Sequence, residues 1–153
     1  MNTIISNHEQ KTYDLGYKLG TLLKKGDILC LTGDLGAGKT AMSKAIAKGL
    51  EVDEHVTSPT FAIIQEYMGR LPLYHFDVYR IGSVEEMEDL GYEEYFYGDG
   101  VCIIEWASII EELIPKEHLW IDIKRDDHEN VRKIEMKATT EHFKDIIEEL
   151  KKI

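Results

Sequence analysis

The residues best suited to chemistry form a glycine-rich segment that runs from Gly33 to Thr40. Its letters, GDLGAGKT, fit the P-loop pattern G-x-x-x-x-G-K-[ST], and the segment lies between an apolar run and a predicted helix. Glycines let backbone N–H groups curl around phosphate oxygens, and the start of the helix adds partial positive charge. Lys39 is then expected to reach the β- and γ-phosphates, and the Thr40 hydroxyl to bind Mg²⁺. The competing interpretation is a plain glycine-rich turn followed by an exposed lysine, which the strand–loop–helix order disfavours.

A second candidate is the carboxylate of Glu105, the first polar residue after the apolar run from Val101 to Ile104. A P-loop works together with a metal-handling carboxylate on a neighbouring strand. The alternative is an ordinary surface glutamate at a strand end. The presence of the P-loop favours the metal role.

Asp77 is a third candidate, within a predicted strand that begins at Leu71. Strand alternation separates two sets of side chains: Tyr74, Phe76 and Val78 on one face, and His75, Asp77 and Tyr79 on the other. An aspartate beside a histidine could orient water or steady the shell of a metal ion. A polar strand edge that faces solvent explains the same pattern equally well.

Strands and helices must bring these candidates together, and apolar patterning predicts six strands. They cover residues 28–31, 62–67, 71–78, 101–104, 119–124 and 131–136. The second and third are expected to form a hairpin.

Helices are predicted from capping signals and from apolar residues at i, i+3 and i+4. Ser6 and Glu9 form a capping box that opens the first helix, which carries Leu15, Leu19 and Leu22 on one face. A second helix follows the P-loop. Ser83 and Glu86 form another capping box, and Ser108 opens a further short helix. The last helix places its apolar stripe toward a core: Phe143, Ile146, Ile147 and Leu150.

The whole chain is predicted to be one domain. Its 153 residues, 43% of them hydrophobic, are enough for a real core. Helices at both ends around apolar strands predict an α/β fold. We therefore expect a single three-layer, P-loop NTPase-like domain over residues 1–153, with a mostly parallel central sheet and a β-hairpin.

Charge and patterning restrict the partners. The net charge is −11, with 29 acidic against 18 basic residues, which disfavours independent binding to nucleic acid. No apolar stretch reaches the length of a membrane span and no signal peptide is recognisable, so a cytoplasmic location without a membrane partner is expected. Cys30 and Cys102 lie in apolar runs and are expected to be buried free thiols, and the scattered histidines predict no zinc site.

Five short segments together resemble the TsaE family, the ATPase subunit of bacterial tRNA threonylcarbamoyladenosine (t6A) synthesis. In chain order they are GDLGAGKT from Gly33, SPTF from Ser58, HFDVYR from His75, DLG from Asp89 and EW from Glu105. The P-loop alone is shared with many NTPases, whereas the ordered set in so short a chain is specific. The resemblance extends over nearly the whole chain.

The resemblance implies ATP and Mg²⁺ as cofactors, with Thr40 and Glu105 as metal ligands. The catalytic residues that it implies are Lys39, Asp77 and Glu105. The nucleotide-binding residues that it implies are Glu9, Asp34, Leu35, Gly36, Ala37, Gly38, Lys39, Thr40, Ala41, Thr60, Trp106 and Arg132. Ser58 to Phe61 is expected to be a switch-like segment near the γ-phosphate. Ala41 departs from the family, which usually has a second threonine there, and a hydroxyl contact to the α-phosphate is lost.

The function that the resemblance implies is ATP hydrolysis in the service of a complex that attaches a threonylcarbamoyl group to the adenosine beside the tRNA anticodon. The implied partners are an ASKHA-type transferase (TsaD-like) and its paralogue (TsaB-like), with tRNA reached only through the complex. A small-molecule P-loop kinase is the first alternative, disfavoured because the four arginines are dispersed and no lid is evident. A nucleotide-gated interaction module with little catalysis is the second, and it stays open because no residue is an unambiguous general base.

Overall fold

A computed structural model of the chain describes residues 2–34, 36–57, 59, 63–126 and 128–153. Within these ranges the chain forms seven strands: β1 (Asn2–Ser6), β2 (Ile28–Gly33), β3 (Ile64–Met68), β4 (Pro72–Asp77), β5 (Val101–Glu105), β6 (Leu119–Arg125) and β7 (Arg132–Ala138). It also forms five α-helices: α1 (Glu9–Leu22), α2 (Lys39–Gly49), α3 (Val84–Asp89), α4 (Tyr92–Phe96) and α5 (Glu141–Leu150). A 3₁₀ helix spans Ala107–Leu113.

The strands form one mixed sheet in the order β1-β7-β6-β2-β5-β4-β3. The four strands β6, β2, β5 and β4 run parallel, while β7 and β3 are antiparallel to their neighbours. β2 and β5 lie inside the parallel part because their apolar residues suit a strand that is covered on both faces. The antiparallel pair β3–β4 is the predicted hairpin. The carboxyl ends of the four parallel strands therefore meet at one edge of the sheet.

Helices cover both faces of the sheet and enclose two apolar cores. α1, α2 and α5 contribute to one core together with Leu29, Leu31 and Ile103. α3, α4 and the 3₁₀ helix contribute to the other, together with Cys30 and Ile104. The predicted stripe of α5 lies in the first core, where all four of its residues are buried: Phe143, Ile146, Ile147 and Leu150. The sheet and the helices packed on each of its two faces form the three layers of the fold.

The helices α1 and α2 pack side by side in the same direction at very short range. A Cβ placed at Gly20 of α1 would lie 2.8 Å from the Cα of Gly49 in α2, and one placed at Gly49 would meet the Cα of Gly20 at the same distance. One turn earlier in each helix, a Cβ at Gly16 would lie 2.7 Å from the Cβ of Ala45. Glycine at these positions lets the two backbones touch, which sets the position of the helix that follows the P-loop.

The predicted capping box at the start of the first helix is wrong. Ser6 is the last residue of β1, a strand that the sequence patterns did not indicate and that pairs with β7. The Ser6 hydroxyl donates to the carbonyl oxygen of His8 and lies 2.6 Å from Thr12 Oγ1, and His8, not Ser6, is the N-cap of α1. Ile4 is buried in the first apolar core, so strand pairing and burial decide the structure here. A strand, and not a helix, therefore opens the fold.

Two further helix starts differ in detail from the sequence patterns. Ser83 is the N-cap of α3 as predicted, but its side chain makes no capping hydrogen bond. The 3₁₀ helix begins at Ala107, with Trp106 as its N-cap, one residue before the predicted start at Ser108. Across the described ranges, no helix has both the length and the hydropathy that crossing a bilayer requires.

Both cysteines are free and completely buried, as predicted. Burial raises the pKa of the Cys102 thiol to about 12, and it moves the pKa of Cys30 in the same direction. Burial and a raised pKa both disfavour the reactive thiolate form.

Candidate functional site

The P-loop lies where the carboxyl end of β2 meets the start of α2. Gly33 is the last residue of β2, and α2 begins at Lys39. Between them Gly36 and Gly38 adopt φ angles of 75° and 112°, in the left-handed region that favours glycine. Gly38 is also the N-cap of α2. The loop therefore brings backbone N–H groups and a helix N-terminus to one place, which is the geometry of an anion site.

Lys39 is held inside the loop. Its side-chain nitrogen donates to the carbonyl oxygens of Gly33 and Asp34 at 2.8 Å each, and it lies 4.5 Å from the centre of the Trp106 ring. Only 6% of the residue is exposed, so the interpretation as an exposed lysine is wrong. Burial lowers the pKa of the ammonium group, and the carboxylates of Glu105 and Asp34 act in the opposite direction.

Glu105 is a buried carboxylate at the end of β5, the strand beside β2. It is paired in register with Leu31 of β2 and with Asp77 of β4. Only 2% of Glu105 is exposed, which rules out an ordinary surface glutamate. Its Oε2 atom lies 2.5 Å from Nε2 of His75 and accepts a longer hydrogen bond, 3.4 Å, from the Ser43 hydroxyl.

The helix α2 presents the P-loop threonine toward this carboxylate. Ser43 follows Thr40 by three residues, so the two lie on the same side of the helix, one turn apart. Ser43 contacts Glu105, and this face of α2 therefore turns toward the end of β5. Thr40 and Glu105, the two predicted metal ligands, consequently belong to one corner of the site.

Asp77 ends β4 beside Glu105 and is only partly exposed. Its Oδ1 accepts a hydrogen bond of 3.1 Å from the backbone N–H of Tyr79. Burial raises the pKa of the Asp77 carboxyl; the Tyr79 hydrogen bond lowers it, and the charge of Glu105 raises it further. His75, on the same side of the strand, is completely buried. This part of β4 therefore faces the site and not open solvent.

Trp106 closes the side of the site that lies beyond Glu105. Its backbone has φ 63°, an uncommon conformation for a residue other than glycine. One neighbour of its ring is the Lys39 ammonium and another is the ring of Tyr79, whose centre is 4.6 Å away. Residues held in such conformations by their surroundings are frequent at functional sites.

A cavity of about 460 Å³ lies beside the P-loop, between α1 and the start of β7. Its lining includes Gly38 and Ala41, together with Glu9, Tyr13 and Arg132. The size is within the range of small-molecule sites. Glu9 is thus brought to the P-loop as the first residue of α1, although it is distant from the loop in sequence.

Two arginines from the β6–β7 hairpin hold the outer side of the P-loop. Arg125 donates to the carbonyl oxygen of Gly36 at 3.0 Å, and Arg132 donates to that of Ala37 at 2.9 Å. They are cross-strand partners in the sheet, so two of the dispersed arginines are neighbours after all. Arg132, which the sequence predicts to contact nucleotide, lines the cavity and also bonds the loop.

Most predicted site residues come together, and some that take part were missed. Leu35, Thr60 and the 58–61 segment apart from Pro59 lie outside the described residues. The contributions of Ser43, His75 and Arg125 were not predicted. The spacing of three after Thr40 places Ser43 on the same side of α2, but only the fold brings it to Glu105; His75 could have been found from its place on the Asp77 side of β4. No local signal marks Arg125.

The donor set fits a magnesium ion that binds together with phosphates. Among the described residues, no group of three or more His, Cys, Asp or Glu side chains could hold a metal ion alone. Mg²⁺ commonly takes one or two protein oxygens and completes its shell with phosphate and water. A buried carboxylate at Glu105 and a hydroxyl at Thr40 are ligands of that kind.

Parallel strands that end at a glycine-rich loop, a helix that begins in that loop and a buried carboxylate on the adjacent strand define a protein with a P-loop NTPase-like fold. The fold predicted from the sequence is confirmed by a solved neighbour: the crystal structure of Bacillus subtilis YdiB superposes with a TM-score of 0.81 at 41% identity, over 99% of this chain and 94% of that one.

Comparison with known proteins identifies the family. The model of the family described as "Threonylcarbamoyl adenosine biosynthesis protein TsaE" matches residues 6–134. A relative named tRNA threonylcarbamoyladenosine biosynthesis protein TsaE, from Bacillus subtilis (strain 168), is 52% identical over 128 residues, 83% of this chain and 79% of the relative. The protein of the same name from Treponema pallidum (strain Nichols) is 42% identical over 120 residues, 78% and 89% of the two chains. The chain belongs to the TsaE family, as its motifs predicted.

Proposed function

We propose that this chain binds Mg·ATP and hydrolyses it as a subunit of the machinery that makes t6A beside the anticodon of tRNAs. The role in t6A synthesis is supported by family membership. The observation that carries the ATPase activity is the register of the sheet, which sets Glu105 beside Leu31, two residues before the P-loop begins. A carboxylate in that place is what a P-loop needs to handle a metal ion.

In this proposal the loop and α2 hold the phosphates. Backbone N–H groups around Gly36 and Gly38 and the N-terminus of α2 bind phosphate oxygens. Lys39 exchanges the carbonyl oxygens of Gly33 and Asp34 for oxygens of the β- and γ-phosphates, a short movement because its ammonium is already inside the loop. The cavity beside Glu9 and Arg132 takes the nucleoside.

Thr40 and Glu105 hold the metal ion, and Asp77 acts on the attacking water. Mg²⁺, when bound, neutralises charge on the β- and γ-phosphates. Asp77 lies beside Glu105 on the next strand, close enough to share the site. Its burial raises the carboxyl pKa, which makes the ionised group a better proton acceptor than an exposed aspartate.

We further propose that hydrolysis becomes fast only when the TsaD-like and TsaB-like partners are bound. Three of the four arginines donate to backbone carbonyl oxygens of this chain: Arg70, Arg125 and Arg132. None of these three contacts places a guanidinium beside Glu105 or Asp77, where the metal ion and the attacking water are proposed to lie. The partners are therefore expected to supply the positive charge that trans-acting arginines supply in other P-loop enzymes, with a gain of about 10³–10⁵ in rate. The net charge of −11 likewise favours contact with tRNA through the partners.

The test is steady-state ATP hydrolysis by the chain alone, with tRNA alone, and with the partner subunits. Slow turnover alone and strong stimulation by the partners are expected. Full activity without partners would contradict partner dependence, and acceleration by an added small alcohol or nucleoside would favour the kinase alternative. Stimulation by tRNA without partners would contradict indirect contact. Quantifying t6A in tRNA after reconstitution with and without this chain tests the proposed role in t6A synthesis.

A further inference from the structure

A buried imidazole lies directly behind the proposed metal ligand. His75 is completely buried, and its Nε2 atom is 2.5 Å from Oε2 of Glu105. Pairing with a carboxylate, which accepts hydrogen bonds, assigns the role of donor to the Nε2–H group of the ring. The other ring nitrogen, Nδ1, is the one side-chain nitrogen or oxygen that is buried without a hydrogen-bond partner within the described ranges.

The surroundings of His75 would suit an apolar side chain better. On the same face of the sheet it lies beside Leu73, two residues earlier on β4, and its register partner on β5 is Ile103; both are completely buried. Burying a ring with an unpaired nitrogen is unfavourable unless its other nitrogen has a strong partner. Among the residues that the structure describes, the hydrogen-bond partner of this ring is the Glu105 carboxylate.

Two donors converge on the same oxygen of Glu105. His75 on β4 donates a hydrogen bond to Oε2, and Ser43 on α2 donates a second one at 3.4 Å. A carboxylate bonded at one oxygen from two elements of the fold cannot turn freely about its last bond. Hydrogen bonds of this kind orient metal-ligating side chains and raise their affinity for the ion.

We propose that His75 is a positioning residue, which holds the Glu105 carboxylate through Oε2 in the orientation that binds Mg²⁺. The inference rests on the proposed role of Glu105 as a metal ligand. His75 acts through Glu105 and is not among the residues proposed to hold nucleotide or metal. Its effect is therefore on metal affinity, and nucleotide binding in the absence of metal does not depend on it.

The test measures Mg²⁺ affinity and not turnover. Calorimetric titration of the full chain with ADP, at a series of Mg²⁺ concentrations, gives the metal dependence of binding. His75→Gln places an amide N–H near the position of Nε2, whereas His75→Asn is one carbon shorter and cannot reach Oε2. We expect the Asn variant to lose about 10–100-fold in Mg²⁺ affinity and the Gln variant to stay close to the native chain. ADP binding without Mg²⁺ is expected to change in neither.

Leu73→Ala is the matched control. Leu73 is completely buried on the same strand and the same side, two residues before His75, and it has no polar group. This variant should lower the melting temperature and leave Mg²⁺ affinity unchanged. An equal loss of Mg²⁺ affinity in Leu73→Ala and His75→Asn would show a general packing effect and overturn the inference. If the Asn variant does not fold, His75→Met, which keeps the length and removes the donor, gives the same comparison with Gln.

Glu105→Gln separates failure of this inference from failure of the proposed function. If Glu105→Gln loses Mg²⁺ affinity while the Gln and Asn variants of His75 both match the native chain, His75 has no positioning role and the metal site stands. If Mg²⁺ affects ADP binding equally in the native chain and in Glu105→Gln, the metal role of Glu105 is wrong, and the inference is overturned with it.

Discussion

Replacing Lys39 by methionine should abolish tight nucleotide binding and leave the fold intact. Truncation to alanine would remove the side-chain stem together with the ammonium group. Only 6% of the residue is exposed, so losing the whole side chain would leave a cavity in the loop. Methionine keeps most of the stem and removes only the charged donor, so it is the sharper substitution.

The magnitude follows from the number of hydrogen bonds. Lys39 makes two, each of 2.8 Å, to carbonyl oxygens, and it can present the same donors to phosphate. A hydrogen bond to a charged group contributes about 1.5–3 kcal/mol, so two are equivalent to roughly 10²–10⁴ in affinity. Since both carbonyl hydrogen bonds are given up when phosphate binds, we expect a loss near the lower end, about 100-fold.

The assay is calorimetric titration with ADP and Mg²⁺, combined with a thermal melt followed by circular dichroism. Lys44→Met is the control, because Lys44 is exposed on the same helix and lies outside the cavity beside the P-loop. Native affinity in Lys39→Met would refute the assignment of the loop as a phosphate site. A collapse of the melting temperature would instead show that Lys39 is needed for the fold.

Three further predictions concern the carboxylates and the tryptophans. Glu105→Gln should reduce Mg²⁺-dependent turnover more than nucleotide affinity, because it keeps the shape of a residue that is 2% exposed and removes its charge; equal metal dependence in both proteins would contradict this. Asp77→Asn should raise the melting temperature at pH 7 but not at pH 3. The pKa of the Asp77 carboxyl is raised in the folded state, so at pH 7 its ionisation destabilises the folded chain, whereas at pH 3 the carboxyl is mostly protonated in both the folded and the unfolded state. An equal change in melting temperature at both pH values would argue against this. Mg·ATP should change the fluorescence of Trp106, 4.5 Å from the Lys39 ammonium, more than that of Trp120, whose indole N–H donates to Thr32; a response that survives in Trp106→Phe and disappears in Trp120→Phe would reverse the assignment.

The parts of the fold that the sequence predicted are those where burial is uniform or strictly periodic. β2 and β5 are apolar at successive positions because both faces are covered, and α5 repeats its apolar residues with the helical period. β1 gave no such signal. It is an edge strand in which Ile4 is buried and Ile5 is 40% exposed, and its partner β7 lies at the other end of the chain. The look-alike capping residues, Ser6 and Glu9, suggested a helix start instead.

In the candidate site, too, the features with a local sequence pattern were predicted and those that depend on long-range contacts were not. The P-loop was predicted because its pattern is local, and Glu105 because a polar residue directly ends an apolar run. The contacts of Ser43 with Glu105 and of Arg125 with Gly36 join positions that are 62 and 89 residues apart. Those pairs are created by strand order and register, which no spacing rule in one sequence contains.

The backbone contact between α1 and α2 affects how mutational data on this protein should be interpreted. The two helices touch at Gly20 and Gly49, and Glu9 begins α1 while Lys39 begins α2. Eleven residues of helix separate Gly20 from Glu9, about 16 Å at 1.5 Å per residue. Both helices extend from that contact to the cavity beside the P-loop, so a methyl group added at Gly20 would push the two helices apart and shift the two sides of that cavity relative to each other. In a saturation mutagenesis screen scored on function, Gly20 and Gly49 would tolerate substitution as poorly as the P-loop does. A ranking by fitness alone would therefore not distinguish these packing residues from residues that bind ligand.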